Sequence, residues 1–247
     1  GIEAIGQSFR RWLEVHPVYI HPMSSLAGAW VRKGIPGVGG HPLPSLQEKD
    51  QERELAAGIP RSWKPGHRVR HLTALHTKYN IYHPGIGSPN HLSPDMSIGL
   101  ELGWGGLLDK VCRYRERNRP LDTSFYDGEE QLILGVQSWI GRHVNRAREM
   151  ALQEANPVLR ENLLAMAEVN QWLVEGPPRT LREACQFLAW FQCVDRMWGL
   201  GGALGQLDEL LRPYYEADLA AGRETDESVV WHLASLFYND PHYSQIG

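Results

Sequence analysis

The sequence predicts a helix-dominated fold with a few short strand candidates, and three observations carry that expectation. Between residues 93 and 238, apolar positions recur at helical spacing and are interrupted by cap and breaker residues at helix-length intervals. Clusters that read as strands are confined to about 17–21, 28–32 and 200–205. The chain has 247 residues, 42% of them apolar, with nine Trp and nine Tyr, which is enough to bury a sizeable core and too much for a disordered chain.

The elements follow in chain order. Residues 1–33 are mixed in character, and 34–45 (GIPGVGGHPLPS) are so dense in Gly and Pro that no regular element survives. From 46 to 80 the pattern is polar and ambiguous, and a second punctuated stretch at 83–94 leads into the first clear helix. There Ser93 can cap, Pro94 suits the first helical position and Asp95 complements the positive pole. Asp122 or Thr123 opens a long helix through Ala155, with Leu132, Val136, Trp139 and His143 on one stripe and Ile133, Ile140, Ala147 and Ala151 beside it.

Asn156 and Pro157 start the next helix, which runs to about Val174. After Gly176-Pro177-Pro178, Thr180 and Glu183 have the spacing of a capping box, and the helix beyond them is apolar almost all round to Trp198, as a buried helix would be. GLGGALG (199–205) breaks it. Two more helices follow, one from Asp208 to Ala221, ended by Gly222, and one capped by Thr225 and running to about Tyr238.

Charge and composition exclude several functions. Lys+Arg 25 against Asp+Glu 29 leaves a net charge of -4, which argues against nucleic acid and against an anionic membrane surface as partners. Mean hydropathy is -0.39 and no apolar run is long enough to span a bilayer, so a soluble protein is expected. Three cysteines, Cys112, Cys185 and Cys193, form no paired pattern, which fits a reducing, cytoplasmic setting. The chain opens without Met or a signal-peptide core and closes directly after a helical segment, so both ends read as cut from something longer.

Most single motifs favour a packing role. GLGGALG follows a helix and lacks both GxGxxG spacing and a Lys-Ser/Thr pair, so it reads as a tight backbone passage rather than a phosphate cradle. His67 and His71 stand four apart without HExxH, which does not make a zinc site. The arginines of RYRERNR (113–119) suit a solvated helix terminus. Cys185 and Cys193 sit among apolar neighbours and read as core residues, not nucleophiles. His91 and Asp95 could turn an imidazole and a carboxylate toward one pocket, although spacing alone favours a structural role for both.

Four blocks, taken together, resemble the glycyl radical enzymes of the pyruvate formate-lyase type. Asn90-His91-Leu-Ser-Pro-Asp95-Met96, continuing through Leu100, Gly103 and Gly106, is similar to the family's Gly-His-x-x-x-Asp-Tyr-x-x-x-Leu-x-x-Gly-x-x-Gly run. Phe125-Tyr126 opens the long helix that later carries Arg142 and Ala147. Pro177 to Gln186 is similar to Pro-Pro-Arg-Thr-Phe-His-Glu-Ala-Leu-Gln, and Leu204-Gly205-Gln206-Leu207-Asp208 with Leu211, Pro213, Tyr214, Tyr215, Asp218 and Leu219 is similar to a Leu-Gly-Arg-x-Asp block. Trp63-Lys64 precedes them as the family's Trp-Lys-Gly does.

The resemblance implies an α/β fold, the N-terminal part of a ten-stranded barrel with outer helices, and a single partial domain over 1–247. It implies a lyase or dehydratase acting on a small polar metabolite by thiyl-radical hydrogen abstraction in anaerobic metabolism. The family's thiyl Cys lies in a Gly-Cys-Val-x-Pro-like loop and its radical Gly in an Arg-Val-x-Gly-Tyr-like loop. Neither loop occurs in this sequence, so the chain alone is expected to be inactive. No metal or organic cofactor is implied for it. The glycyl radical of the full enzyme is installed by a radical S-adenosylmethionine activating enzyme. The expected partners are that enzyme, a small-molecule substrate, and a second subunit or a complementary C-terminal portion.

By the same resemblance, His91, Asp95, Leu200 and Gly201 are the candidate substrate-binding residues. Leu200 and Gly201 stand where dehydratase-like members often carry His-Ser after a Gly, which puts a glycerol-like diol in doubt. Gln206 in place of Arg and Met96 in place of Tyr are further departures. The rival reading is a non-catalytic subunit or remnant that binds a partner as a helical module.

Overall fold

A computed structural model of the chain describes residues 1–28, 94–199 and 204–243, with side chains through 195 in the second stretch and through 237 in the third. Its elements are α1 (Ile2–Val15), α2 (Ser97–Asn118), α3 (Ser124–Gln153), α4 (Pro157–Leu173), α5 (Leu181–Gly199), α6 (Leu207–Ala220) and α7 (Asp226–Tyr243). No strand forms among the described residues, so the helix-dominated part of the expectation holds and the strand candidate at 17–21 does not. That stretch is an irregular crossing whose Tyr19 carbonyl accepts from the Gly28 amide at 2.9 Å. The Gly/Pro-rich loop 34–45, His67, His71, Trp63-Lys64, Ser93 and most of the candidate strands 28–32 and 200–205 lie outside the described residues.

The long helix α3 is the spine, packed along α1, α4 and α2. Its predicted stripe faces inward, with Ile133, Val136, Trp139, Ile140, His143, Ala147 and Ala151 all buried. Helix α1 has no counterpart in the sequence expectation, yet Gly6, Phe9 and Leu13 are buried on one side at helical spacing. Arg142 of α3 closes its C-terminus, donating to the Leu13 carbonyl at 3.0 Å and the His16 carbonyl at 2.8 Å, which are groups a helix end leaves without partners.

Local capping logic holds in α4 and α7. Asn156 accepts from the amides of Val158 and Leu159, with Pro157 in the first turn, and the Thr225 hydroxyl accepts from the Ser228 amide at 3.3 Å. At α5 the Thr180 hydroxyl accepts from the Glu183 amide at 3.2 Å, but the returning carboxylate takes the Arg179 amide at 2.7 Å, one residue earlier than a capping box would place it. Another first-turn amide, Leu181 N, is capped in trans by Asp218 of α6 at 2.6 Å. Helix α5 is buried as its composition predicts, with Cys185, Phe187, Leu188, Trp190 and Cys193 fully shielded.

Two further expectations need correction. Helix α2 begins at Ser97, not at Pro94, because the Asp95 side chain takes the Ser97 amide and holds 94–96 as a turn ahead of the helix. Arg115 is not a solvated cation at a helix end. From within α2 its side chain reaches Asp127 at 2.7 Å and Glu130 at 2.5 Å, tying α2 to α3. Inside α2, Gly103 takes a φ of 65° and kinks the helix, which brings the Gly105 amide to within 2.8 Å of the Glu175 carbonyl.

Candidate functional site

The junction that opens α2 is the described part of the predicted pocket. Met96 is 1% exposed and anchors the turn, whereas Asp95 faces solvent. One carboxylate oxygen of Asp95 accepts from the Ser97 amide at 3.0 Å and also from the Ser97 hydroxyl. The Ser97 hydroxyl, and after it the Ser97 amide, hold this carboxyl below its ordinary range. An ionised, hydrogen-bonded carboxylate of this kind is suited to orienting a donor group and is a weak proton acceptor.

The first turns of α2 are pressed onto two other helices. A Cβ on Gly99 would meet the Phe187 ring of α5 at 2.8 Å, and the Leu100 carbonyl accepts from the Tyr214 hydroxyl of α6 at 3.4 Å. Trp104 continues the contact, its ring centroid 5.3 Å from that of Phe187 and stacked 6.1 Å from that of Phe191. So the helix that follows Asp95, the helix that leads into residue 200 and the helix that follows residue 204 pack against one another. Of the four predicted substrate-binding residues only Asp95 is described. His91, Leu200 and Gly201 lie outside the described residues.

Behind the junction lies a buried polar network that the sequence reading did not single out. Gln186 accepts from the Ala27 amide at 2.7 Å and donates to the Ala27 carbonyl at 2.9 Å, clamping the 16–28 crossing onto α5. Asn170 donates to Gln186 at 3.2 Å and accepts from the Trp190 indole at 2.7 Å. Trp190 in turn fills the space beside Gly28, whose φ is 86° and where a Cβ would stand 2.3 Å from the ring. The available signal was Gln186 itself, a polar side chain inside a run of buried apolar ones.

A second network joins α5 to α7. Arg182 donates to the Ser25 carbonyl at 3.1 Å and to Asn162 at 2.8 Å, and burial lowers its pKa to about 10. Nearby, Glu224 accepts from the Ser228 hydroxyl and stands 3.1 Å from Nε2 of His232, an imidazole only 3% exposed. Because a carboxylate can only accept, Nε2 carries the proton, and Nδ1 finds no partner among the described residues. Burial holds His232 below its ordinary pKa, Glu224 opposes that shift and Arg182 adds to it.

The two cysteines of α5 are not placed as nucleophiles. Burial pushes the Cys185 thiol up to about 12, so it stays protonated and inert, and Cys193, two turns further along α5, is also fully buried. Among the described residues no group of three or more His, Cys, Asp or Glu could hold a metal ion. A polar cleft of about 350 Å³ lies between α1 and α3, lined by Gln7, Arg10, Arg11, Glu14 and Gln131. Its Arg10 is already bonded to Glu14 at 2.9 Å and Gln131 at 2.8 Å, and it contains none of the predicted site residues. No described helix is long and apolar enough to cross a membrane.

Comparison with known proteins matches residues 46–246 to the family described as pyruvate formate lyase-like. The isethionate sulfite-lyase of Nitratidesulfovibrio vulgaris is 34% identical over 108 residues, covering 42% of this chain and 13% of that protein. The 4-hydroxyphenylacetate decarboxylase glycyl radical subunit of Clostridioides difficile is 28% identical over 217 residues, covering 83% of this chain and 22% of that subunit. Among solved structures, a glycyl radical enzyme from Archaeoglobus fulgidus superposes with a TM-score of 0.74 at 20% identity, over 96% of this chain and 35% of that one. The chain therefore spans only a small part of the curated relatives it matches.

Proposed function

Because this chain belongs to the pyruvate formate lyase-like family of glycyl radical enzymes, we propose that it serves as the N-terminal portion of a radical lyase or dehydratase acting on a small polar metabolite. The observation that carries this reading is the family match over residues 46–246, which takes in the blocks around Asp95, Phe125-Tyr126, Arg179 and Asp218. The relatives point to the same reaction types, by the names isethionate sulfite-lyase and (2S)-3-sulfopropanediol dehydratase.

In this reading the complete protein supplies a glycyl radical and a thiyl radical, the latter taking a hydrogen atom from a substrate carbon so that an adjacent bond breaks. The catalytic Cys and radical Gly come from a complementary C-terminal portion, and a radical S-adenosylmethionine enzyme activates the assembly, which is a homodimer in an anaerobic cytoplasm. This portion completes the wall of the α/β barrel, a site that must exclude water and fix the reacting atoms.

His91 and Asp95 orient the substrate, and Leu200 and Gly201 line the pocket. Asp95 acts by holding a hydroxyl or ammonium donor, since its lowered pKa makes it a poor base. Leu200 and Gly201 offer no side-chain hydrogen bond, so a substrate with a single hydroxyl beside a leaving group fits better than a vicinal diol.

The test is anaerobic activation of the chain assembled with a C-terminal portion that carries both radical loops. Electron paramagnetic resonance should detect a glycyl radical in the assembly and none in the chain alone. Asp95→Asn keeps the bond to the Ser97 amide and removes the charge, so it should leave folding unchanged and lower turnover at least tenfold. Full activity of D95N would remove Asp95 from the pocket. An assembly that binds but never forms a radical would favour a non-catalytic, partner-binding module.

A further inference from the structure

We propose that His232, Glu224 and Arg182 form an acid-released latch, which fastens residues 23–25 of the 16–28 crossing to α5 and α7 and opens when the His232 imidazole takes up a second proton. The latch is built entirely within this chain and stands apart from the radical chemistry.

The crossing is held in two ways. Its outer part is fastened by α7 and by the Arg182–Asn162 pair. The Met23 carbonyl accepts from the Trp231 indole at 3.0 Å, and the Ser25 amide donates to the Ser235 hydroxyl at 3.0 Å. The Ser25 carbonyl accepts from Arg182 at 3.1 Å, while Asn162 holds the Pro22 and Ser24 carbonyls at 2.8 Å and is itself braced by Arg182. Its inner part hangs on other residues, Ala27 on Gln186 and Tyr19 on His143. His232 lies beside both α7 fastenings: its ring stacks 5.5 Å from that of its neighbour Trp231, and Ser235 follows one turn later. The Arg182 guanidinium lies 5.7 Å from the Trp231 ring centroid.

The charges around His232 balance only while it is neutral. Nε2 carries its proton toward Glu224 at 3.1 Å, and Glu224 is the carboxylate that offsets Arg182. The other nearby carboxylate, Asp218 of α6, is fully buried and committed to Arg223 at 2.7 Å and to the Leu181 amide. From α5, Cys185 faces the cluster as a neutral thiol, Asn162 of α4 is neutral, and residues 229–237 of α7 contain no Asp, Glu, Lys or Arg. The crossing contributes His21, whose Nδ1 accepts from the Met23 amide at 3.3 Å.

A second proton on His232 must sit on Nδ1, which is buried and has no acceptor among the described residues. Two cations then share Glu224. His232 is 3% exposed, whereas Arg182 is partly exposed and reaches water by letting go of the Ser25 carbonyl, so Arg182 is the group that yields. Burial above all, with Arg182 adding to it, holds the imidazole below its ordinary 6.5. The opened state therefore takes the proton first: the latch is closed above 6.5 and weakens as pH falls through the lowered value.

The test is amide exchange of the 247-residue chain between about pH 7.5 and about pH 4.5, corrected for intrinsic rates. Protection of the Ser25 amide should fall by up to about tenfold per pH unit below 6.5, the limit for one proton, while that of Ala27 changes less. His232→Gln keeps a donor for Glu224 and takes no proton, so Ser25 should be protected equally across the range. Glu224→Gln keeps an acceptor and removes the anion that favours the imidazolium, so release should move to lower pH.

The same pH dependence at Ser25 in H232Q as in the unaltered chain overturns the latch. So does loss of protection at Ser25 and Ala27 together, which is global unfolding, or a change confined to the Met23 amide, which belongs to His21. Constant protection of Ser25 in the unaltered chain also overturns it. Should H232Q lose its helical signal, E224Q decides, and an unmoved release overturns the proposal.

Discussion

Replacing Gln186 with Leu should cost more than its near-equal volume suggests. Gln186 is fully buried, and its amide satisfies both the N–H of Ala27 at 2.7 Å and the C=O of Ala27 at 2.9 Å, 159 residues away in sequence. Leucine fills the space and leaves both backbone groups without partners beneath a residue that is 1% exposed. Two orphaned groups at about 1–3 kcal/mol each give a loss of about 2–6 kcal/mol. Asn170 loses its bond to Gln186 at 3.2 Å as well and keeps only the Met166 carbonyl at 2.9 Å, which places the loss toward the upper end of that range. A loss of this size is a large share of a stability of about 5–15 kcal/mol.

Urea denaturation followed by circular dichroism should show the midpoint falling with little change in slope. Amide exchange should quicken first at Leu26, Ala27 and Gly28, because the clamp is what holds the crossing down. A loss below about 0.5 kcal/mol, or unchanged protection at 26–28, would refute the reasoning by showing that water or a shifted backbone satisfies Ala27 instead.

Gly28→Ala should destabilise by about 2–4 kcal/mol, adding left-handed strain to a clash with Trp190, and a thermal midpoint equal to wild type would sink that account. Asp218→Ala should cost about 1–3 kcal/mol by uncapping Leu181 N, whereas Asp218→Asn should recover part of it; identical losses in the two variants would show that the cap is not the cause. His143 accepts from the Tyr19 amide through Nε2 at 3.2 Å, and its Nδ1 faces the Trp139 carbonyl at 2.8 Å, so it is buried neutral with its pKa lowered, by burial above all, to about 3. The unfolded chain takes up this proton below its ordinary value of 6.5 and the folded chain only near 3, so stability from this group is present above 6.5 and is lost as pH falls between the two. An imidazole titration midpoint near 6.5 in the folded protein, read by NMR, would contradict that assignment.

The helices that the sequence specified are those whose signals are local. Asn156 with Pro157, Thr225, and the stripe of α3 each act within about one turn of the backbone they order, so spacing alone locates them. Helix α1 was legible in the same way, from Gly6, Phe9 and Leu13, but aromatic and β-branched neighbours at 17–21 drew the reading toward strand. Local chemistry misleads at two helix starts: Asp95 has first-turn character, yet its own side chain delays α2 to Ser97, and Glu183 takes the Arg179 amide where a capping box would take that of Thr180.

The candidate site divides along the same line. The motif order, in which single positions such as His91, Asp95, Leu200 and Gly201 gain meaning only together, is a property of the sequence. The packing of α2 on α5 and α6 is not. Nor are the Asp218 cap on Leu181, the Gln186 clamp on Ala27, the pairing of Arg115 with α3 or the fixing of Trp231 over Arg182. Each joins groups far apart in the chain, and a polar residue's sequence neighbours do not reveal which distant donor or acceptor it will meet once both are buried. Turn and cap preferences are fixed by a few adjacent dihedral angles, so the sequence determines them; the partners of buried polar groups are fixed by how helices pack, so only the tertiary structure decides them.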